Sequence, residues 1–158
     1  MKAAIILGSQ SDKAIMKKAA DVLRDLAIDF SSRVVSAHGS PELLEKTIME
    51  IEQDGTEVII AGAGLAAHLP GVIASKTLIP VIGVPIASGA LNGMDALFSI
   101  VQMPKSVPVA TVGVDNAANA AYLAAEILGI KYPDLRKKFE NARTKAKEEL
   151  TKDSRIEL

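Results

Sequence analysis

The chain has 158 residues, with 49% hydrophobic and 23% charged residues, a composition typical of one soluble α/β domain. Its 18 Lys and Arg residues against 19 Asp and Glu residues give a net charge of −1, which argues against nucleic acid or an anionic membrane as the main partner. The absence of cysteine excludes disulfides and thiolate nucleophiles, and two histidines without HExxH-type spacing leave little for a metal, so no metal site is expected.

Apolar runs and apolar residues at helical spacing predict five strands that alternate with helices. The strands are expected over residues 3–7, 30–35, 58–61, 81–85 and 107–112. The helices are expected over residues 12–26, 41–54, 71–76, 94–101, 116–128 and about 132–150, with a frayed tail over 151–158. Such alternation gives a parallel sheet with helices on both faces, so we predict one α/β domain over residues 1–158. The apolar start is too short for a signal peptide, which favours a cytoplasmic location.

The polar and glycine-rich loops of this pattern all follow strands. They cover residues 8–12, 36–40, 61–71 and 85–93. Because parallel strands end at the same edge of a sheet, and ligands bind where the strand order reverses, we expect these loops to meet at one site. Ser11 or Asp12 is expected to cap the first helix, and Ser40 the second, with Pro41 as its first residue.

The loop after the third predicted strand has glycine and alanine where larger side chains would block access to the main chain. A ligand can lie there on backbone amides, beside His68. His38 stands between Ala37 and Gly39 and is also accessible. Either histidine can serve as a proton shuttle. From the residues alone, a solvated surface role for His38 and a buried structural role for His68 also stay open.

The loop over residues 8–12 places hydroxyls and amides at a helix N-terminus, an arrangement that attracts phosphate. The carboxylate of Asp12 suits the hydroxyls of a ribose, although an ordinary capped turn has the same composition. The loop is neither a Walker motif nor a GxGxxG motif, which argues against ATP and dinucleotides. No nucleophile elbow is present, so covalent acyl transfer is unsupported.

Six motifs, in order and spacing, resemble the PurE family. They are Gly8–Asp12, Ser36–His38, Ala61–Gly71, Pro80–Pro85, Leu91–Asp95 and Ser99–Pro104. The resemblance runs from Ala3 to about Leu128 and implies a flavodoxin-like three-layer sandwich with a five-stranded parallel sheet. It also implies a homo-octamer in which neighbouring subunits complete each site.

The activity implied by this resemblance is that of N5-carboxyaminoimidazole ribonucleotide mutase in de novo purine synthesis. That reaction moves a carboxylate from N5 to C4 of the ribonucleotide without a metal, a cofactor or ATP. A second class of the family carboxylates free aminoimidazole ribonucleotide with CO2, but the run Ala66–Gly71 favours the mutase. The alternatives are a carboxylase on this or a related substrate and a non-catalytic nucleotide-binding relative.

The resemblance further implies a role for each site residue. His38 would be the general acid/base, Ser9 and Ser11 would hold phosphate, and Asp12 would hold the ribose hydroxyls. The other implied substrate contacts are Ser36, Gly39, Ala63, Gly64, Leu65 and His68.

Two positions depart from the family pattern. Gly39 stands where the family has the arginine that clamps phosphate, in Ser-Ala-His-Arg-Thr-Pro. Leu65 replaces an expected glycine, and its side chain could narrow the expected substrate pocket. The candidates for the missing cation are Lys13, Arg33 and Lys105.

Overall fold

The structure is a computed structural model that describes residues 1–152. Its strands are β1 (Lys2–Leu7), β2 (Asp29–Val34), β3 (Val58–Gly64), β4 (Val81–Ile86) and β5 (Ala110–Thr111). Its helices are α1 (Lys13–Asp25), α2 (Pro41–Gln53), α3 (Leu69–Ala74), α4 (Met94–Val101), α5 (Ala117–Gly129) and α6 (Pro133–Lys152). A 3₁₀ turn over Gln10–Asp12 precedes α1.

All five strands are parallel, in the order β2-β1-β3-β4-β5. This is the flavodoxin-like order, and the predicted fold class is confirmed. The chain leaves β1 toward β2 and leaves β3 toward β4, so the loops after β1 and β3 diverge to opposite sides. Their divergence opens a crevice at the carboxyl end of the sheet.

The sheet separates two hydrophobic clusters, one under α1, α5 and α6 and the other under α2, α3 and α4. Successive residues of β1 alternate between them, with Ala3, Ile5 and Leu7 on one face and Ala4 and Ile6 on the other. A strand buried on both faces needs apolar residues at every position. This requirement explains why β3, β4 and, after Lys2, β1 are continuous apolar runs.

Several predicted elements have different bounds in the structure, and β3 runs on to Gly64, three residues past its predicted end. The strand expected over residues 107–112 is reduced to Ala110–Thr111, since Pro108 has no N–H to donate to a neighbouring strand. The helix expected after Gly71 begins at Leu69, with Pro70 in its first turn, where a missing N–H costs nothing.

Asp12 and Ser40 hold the predicted cap positions, but neither side chain makes a capping hydrogen bond to the helix that follows it. Ser9 caps the 3₁₀ turn, and its hydroxyl accepts a hydrogen bond from the Ser11 N–H. Asp12 occupies the cap position of α1 but makes no side-chain cap, because its carboxylate accepts from the Ser9 N–H. Ser40 likewise holds the cap position of α2 without a side-chain bond.

The last helix extends to Lys152, two residues beyond the predicted end and into the segment expected to fray. The rest of that predicted tail, 153–158, lies outside the described residues. Within residues 1–152, none of the helices has both the length and the apolar character that crossing a bilayer requires.

Candidate functional site

The loops after β1, β2, β3 and β4 meet at the carboxyl end of the sheet around a cleft of about 210 Å³. Every predicted site residue except Gly39 lines this cleft. The lining consists of Gly8, Ser9, Ser11, Asp12, Ser36, Ala37, His38, Ala63, Gly64, Leu65, Ala67, His68, Leu69 and Ser88. The loops that the sequence placed at one edge are therefore brought together in space.

Both histidines of the chain face each other in the cleft. Nε2 of His38 lies 2.5 Å from Nδ1 of His68, and the ring planes meet at 70°. A hydrogen bond between these atoms requires a proton on one nitrogen and a lone pair on the other. Both residues are exposed, so the interpretation of His68 as a buried structural histidine is wrong.

A tight turn after β2 carries His38. The Ser36 hydroxyl accepts a hydrogen bond from the Gly39 N–H at 3.0 Å, and the Ser36 carbonyl accepts one from the Ser40 N–H at 3.0 Å. Ser36, which precedes the histidine, is thus bonded to the two residues that follow it, and Ser36 also lines the cleft. Gly39 lies outside the lining but fixes this turn through its N–H.

The loop after β1 is held by its own side chains. The Ser9 hydroxyl accepts a hydrogen bond from the Ser11 hydroxyl at 2.9 Å, and the Asp12 carboxylate accepts one from the Ser9 N–H at 3.0 Å. Burial raises the pKa of Asp12, while hydrogen bonds from Ser9 and Ser11 act in the opposite direction. The loop therefore presents two hydroxyls and one carboxylate in a fixed arrangement.

The loop after β3 has an unusual backbone. Leu65 has φ +53° and Ala67 has φ +24°, in the region that favours glycine. The Leu65 side chain is half-exposed and lies against Gly89, since a Cβ on Gly89 would come within 2.9 Å of Leu65 Cδ2. Leu65 therefore forms part of the cleft wall and touches the loop after β4 instead of lying wholly within the cleft.

The three candidate cations do not line the cleft. Arg33 pairs with Glu50 at 3.3 Å, and Lys13 and Lys105 lie outside the lining. No lysine or arginine belongs to the cleft lining in the described part of the chain. Nor do three or more His, Cys, Asp or Glu side chains of residues 1–152 cluster as metal ligands.

Ser88 lines the cleft and is absent from the predicted contacts. The available signal was its position directly after β4, in one of the loops expected at this edge. A lone serine in a glycine-rich loop carries no further signal in sequence.

Comparison with protein families places almost the whole chain in one of them. Residues 2–149 match the family model described as AIR carboxylase. The chain belongs to the AIR carboxylase family. The predicted resemblance to PurE is thereby confirmed.

Members of the AIR carboxylase family from several organisms are similar to this chain. A Pyrococcus abyssi protein is 59% identical over 90% of this chain and 82% of its own length. A Thermotoga maritima protein is 53% identical over 97% and 90%, and a Bacillus subtilis protein is 49% identical over 95% and 94%. All three are named N5-carboxyaminoimidazole ribonucleotide mutase.

A solved structure of the family has the same fold. Treponema denticola PurE superposes with a TM-score of 0.85 at 28% identity, covering 98% of this chain and 99% of that one. The fold of this chain is thus one already seen in a PurE protein.

Proposed function

We propose that this chain is an N5-carboxyaminoimidazole ribonucleotide mutase, an isomerase of de novo purine biosynthesis. The observation that carries the proposal is that relatives at 49–59% identity, covering 90–97% of this chain, share that name. The arrangement of the cleft supports it, because the chemistry of this reaction can be assigned to residues that lie there.

The reaction exchanges one bond for another within the substrate. The bond between N5 and the carboxylate breaks, a bond between C4 and that carbon forms, and the C4 proton ends on N5. In this proposal CO2 leaves the nitrogen, stays in the cleft and is attacked by C4. A general base must then take the C4 proton, and a general acid must supply one to the nitrogen.

His38 is the acid/base in this proposal, and its contact with His68 supports that role. A hydrogen bond across this 2.5 Å contact needs a proton on one nitrogen and a lone pair on the other, so the pair would hold one donor and one acceptor. A reaction that removes one proton and returns another needs both a proton acceptor and a proton donor. Alanine and glycine line the adjacent wall, which leaves few polar side chains to hold competing water.

The remaining contacts follow from the loop after β1. Ser9 and Ser11 hold the phosphate through hydroxyls at the start of a helix, and Asp12 accepts hydrogen bonds from the ribose. Burial raises the pKa of Asp12, so ribose hydroxyls that donate to its carboxylate would stabilise the charge. Ser36, Gly64 and the backbone beside it complete the contacts.

A homo-octamer in the cytoplasm belongs to the same proposal. Met94, Phe98 and Val101 form one face of α4 and are 47%, 57% and 52% exposed. Large apolar side chains grouped on a helix face favour contact with another subunit. A neighbouring subunit would also supply the cation that the cleft lacks.

The test is an assay of the purified protein with two substrates. The mutase converts N5-carboxyaminoimidazole ribonucleotide to its C4-carboxylated isomer and does not use free aminoimidazole ribonucleotide with bicarbonate at a comparable rate. The reverse preference would identify a carboxylase. Turnover of neither substrate, with nucleotide binding retained, would identify a non-catalytic relative.

A further inference from the structure

Asp115 lies between β5 and α5, outside the cleft lining, and makes two hydrogen bonds to the end of β4. Its Oδ1 accepts from the Ala87 N–H at 2.9 Å, and its own N–H donates to the Pro85 carbonyl at 2.9 Å. Its φ is +58°, in the left-handed region. A backbone conformation of this kind is maintained where the surrounding contacts determine it.

These two bonds hold the start of an exposed loop. Residues 87–92 are all exposed, and Gly89 and Asn92 also have positive φ, at +63° and +47°. A loop with little burial has little packing to fix its position. The bond from the Ala87 N–H to Asp115 is therefore a main restraint on where the loop begins.

The residue next to this restraint faces the cleft. Ser88 follows Ala87 directly and lines the cleft, with its Cβ 3.1 Å from the position that a Cβ on Gly64 would occupy. Ser88 is exposed and its side chain carries a hydroxyl at the cleft, so it can bond a ligand. Its position depends on the Ala87 amide plane, which Asp115 fixes.

We propose that Asp115 is a positioning residue of this site: it holds Ser88 at the cleft through the Ala87 N–H, so that the Ser88 hydroxyl contacts the substrate. Asp115 itself touches no substrate. The kinetic part of its test rests on the proposed mutase function.

Two substitutions separate the carboxylate from the backbone conformation. Asp115→Gly removes the carboxylate but adopts positive φ without cost, so it does not add strain. Asp115→Asn keeps an oxygen acceptor and also tolerates the left-handed region. A difference between the two variants therefore reports the hydrogen bond to Ala87 and not the conformation of residue 115.

The expected result for Asp115→Gly is a KM raised about tenfold, with kcat changed less than about threefold, the size expected for one hydrogen bond to a charged acceptor. Asp115→Asn should restore KM to within about threefold of the wild-type value. General destabilisation would instead lower the amount of folded enzyme and leave KM unchanged. A wild-type KM in the glycine variant, or an equal rise in both variants, would overturn the proposal.

A double-mutant cycle tests whether the effect passes through Ser88. Ser88→Ala alone should raise KM, and Asp115→Gly should then add less than about a third of its original effect, because coupled residues are not additive. Full additivity would show that Asp115 acts on something other than Ser88.

Hydrogen–deuterium exchange gives a readout that does not need turnover. The Ala87 amide, which donates to Asp115, should exchange faster in Asp115→Gly than in the wild-type protein, and near the wild-type rate in Asp115→Asn. Equal exchange in the wild-type and glycine proteins overturns the inference even if the enzyme is a mutase. If exchange is faster in Asp115→Gly but the wild-type protein turns over neither substrate, the proposed function is overturned. The inference that Asp115 restrains the loop through Ala87 then still holds.

Discussion

At the amino end of the sheet Glu57 accepts hydrogen bonds from Tyr132 and pairs with Lys131, whereas at the carboxyl end the two histidines and several hydroxyls stand exposed around an open cleft. The amino end contains a second paired group, in which Asp54 accepts from Lys2 at 2.6 Å and from Thr56. Polar groups that bond one another stabilise the chain, while those left accessible can bond a ligand. Substitutions at the two ends should therefore affect different measurements.

The largest expected effect is at the carboxyl end, in His38→Asn. Loss of the proton shuttle should lower kcat by about 10²- to 10⁴-fold, the usual contribution of general acid–base catalysis. Substrate affinity should change little, because asparagine keeps a polar side chain of similar size. Steady-state kinetics together with calorimetric titration of the ligand would check this, and unchanged turnover would reject His38 as the acid/base.

The next effect is a gain, expected in Gly39→Arg. An added cation near the phosphate should tighten substrate binding about tenfold, as a charge-assisted hydrogen bond does. Gly39 is not in the left-handed region, and its new Cβ would meet Ser36 Oγ at 3.3 Å, a tight contact that a small shift relieves. Gly39→Gln is the matched uncharged control. Equal affinities in the arginine and glutamine proteins would place the phosphate elsewhere.

A smaller effect is expected in Asp12→Asn, which should raise the free energy of unfolding and lower the affinity for substrate. Burial raises the pKa of Asp12, so the folded chain holds this proton more tightly than the unfolded chain does. The charged carboxylate therefore destabilises the fold progressively as the pH rises above the ordinary value of 3.8. Asparagine is neutral and keeps an acceptor for the Ser9 N–H.

Chemical denaturation should show that Asp12→Asn increases the free energy of unfolding at pH 7 and that the difference from wild type shrinks toward pH 4. Substrate affinity should fall at the same time, since the amide accepts hydrogen bonds from hydroxyls less strongly than a carboxylate does. A variant that is less stable than wild type at pH 7 would contradict this prediction.

The smallest effect is expected at the amino end, in Glu57→Gln. The hydrogen bond from Lys131 lowers the pKa of Glu57, with burial acting against it. The stabilisation is therefore present above the ordinary value of 4.5 and is lost as the pH falls through the lower, folded value. Weakening the Tyr132 hydrogen bonds should cost about 1 kcal/mol at pH 7.

Turnover should be unchanged in Glu57→Gln, because the substitution lies at the end of the sheet opposite the cleft. Denaturation curves at pH 7 and pH 4 and one kinetic assay suffice to check both statements. A loss of turnover in correctly folded protein would show that the two ends are coupled.

The fold was predictable where burial determines residue type. Apart from Lys2 at the start of β1, the strands β1, β3 and β4 are buried on both faces, so their sequences are apolar and their positions are evident. The same criterion overestimated β5, because Val107, Val109 and Val112 have the composition of a strand while Pro108 prevents the pairing. The residue types of a segment indicate whether it is buried, but they do not indicate which of its backbone groups form hydrogen bonds to the next strand.

The cleft was predictable because loops that follow parallel strands share one edge. The contacts within it were not, since His38 and His68 are 30 residues apart and Ala87 and Asp115 are 28 apart. No residue spacing signals a bond of that kind. The hydrogen bond made by Asp12 did have a sequence signal, because Ser9 and Asp12 have the spacing of a capping box, in which the acidic side chain accepts from the N–H of the residue three positions earlier.

The brevity of β5 has a thermodynamic consequence for the protein. Four strands form long ladders, but past Thr111 the outer edge of β4 is bonded by single contacts, from the Val112 N–H to Gly83 and from the Asp115 N–H to Pro85. Few bonds must break together for this margin to separate, so its opening costs less than global unfolding. Brief opening of the β4–β5 edge would move one side of the cleft while the hydrogen bonds between the other strands stay intact. The cleft would then have one wall that opens easily and one that does not.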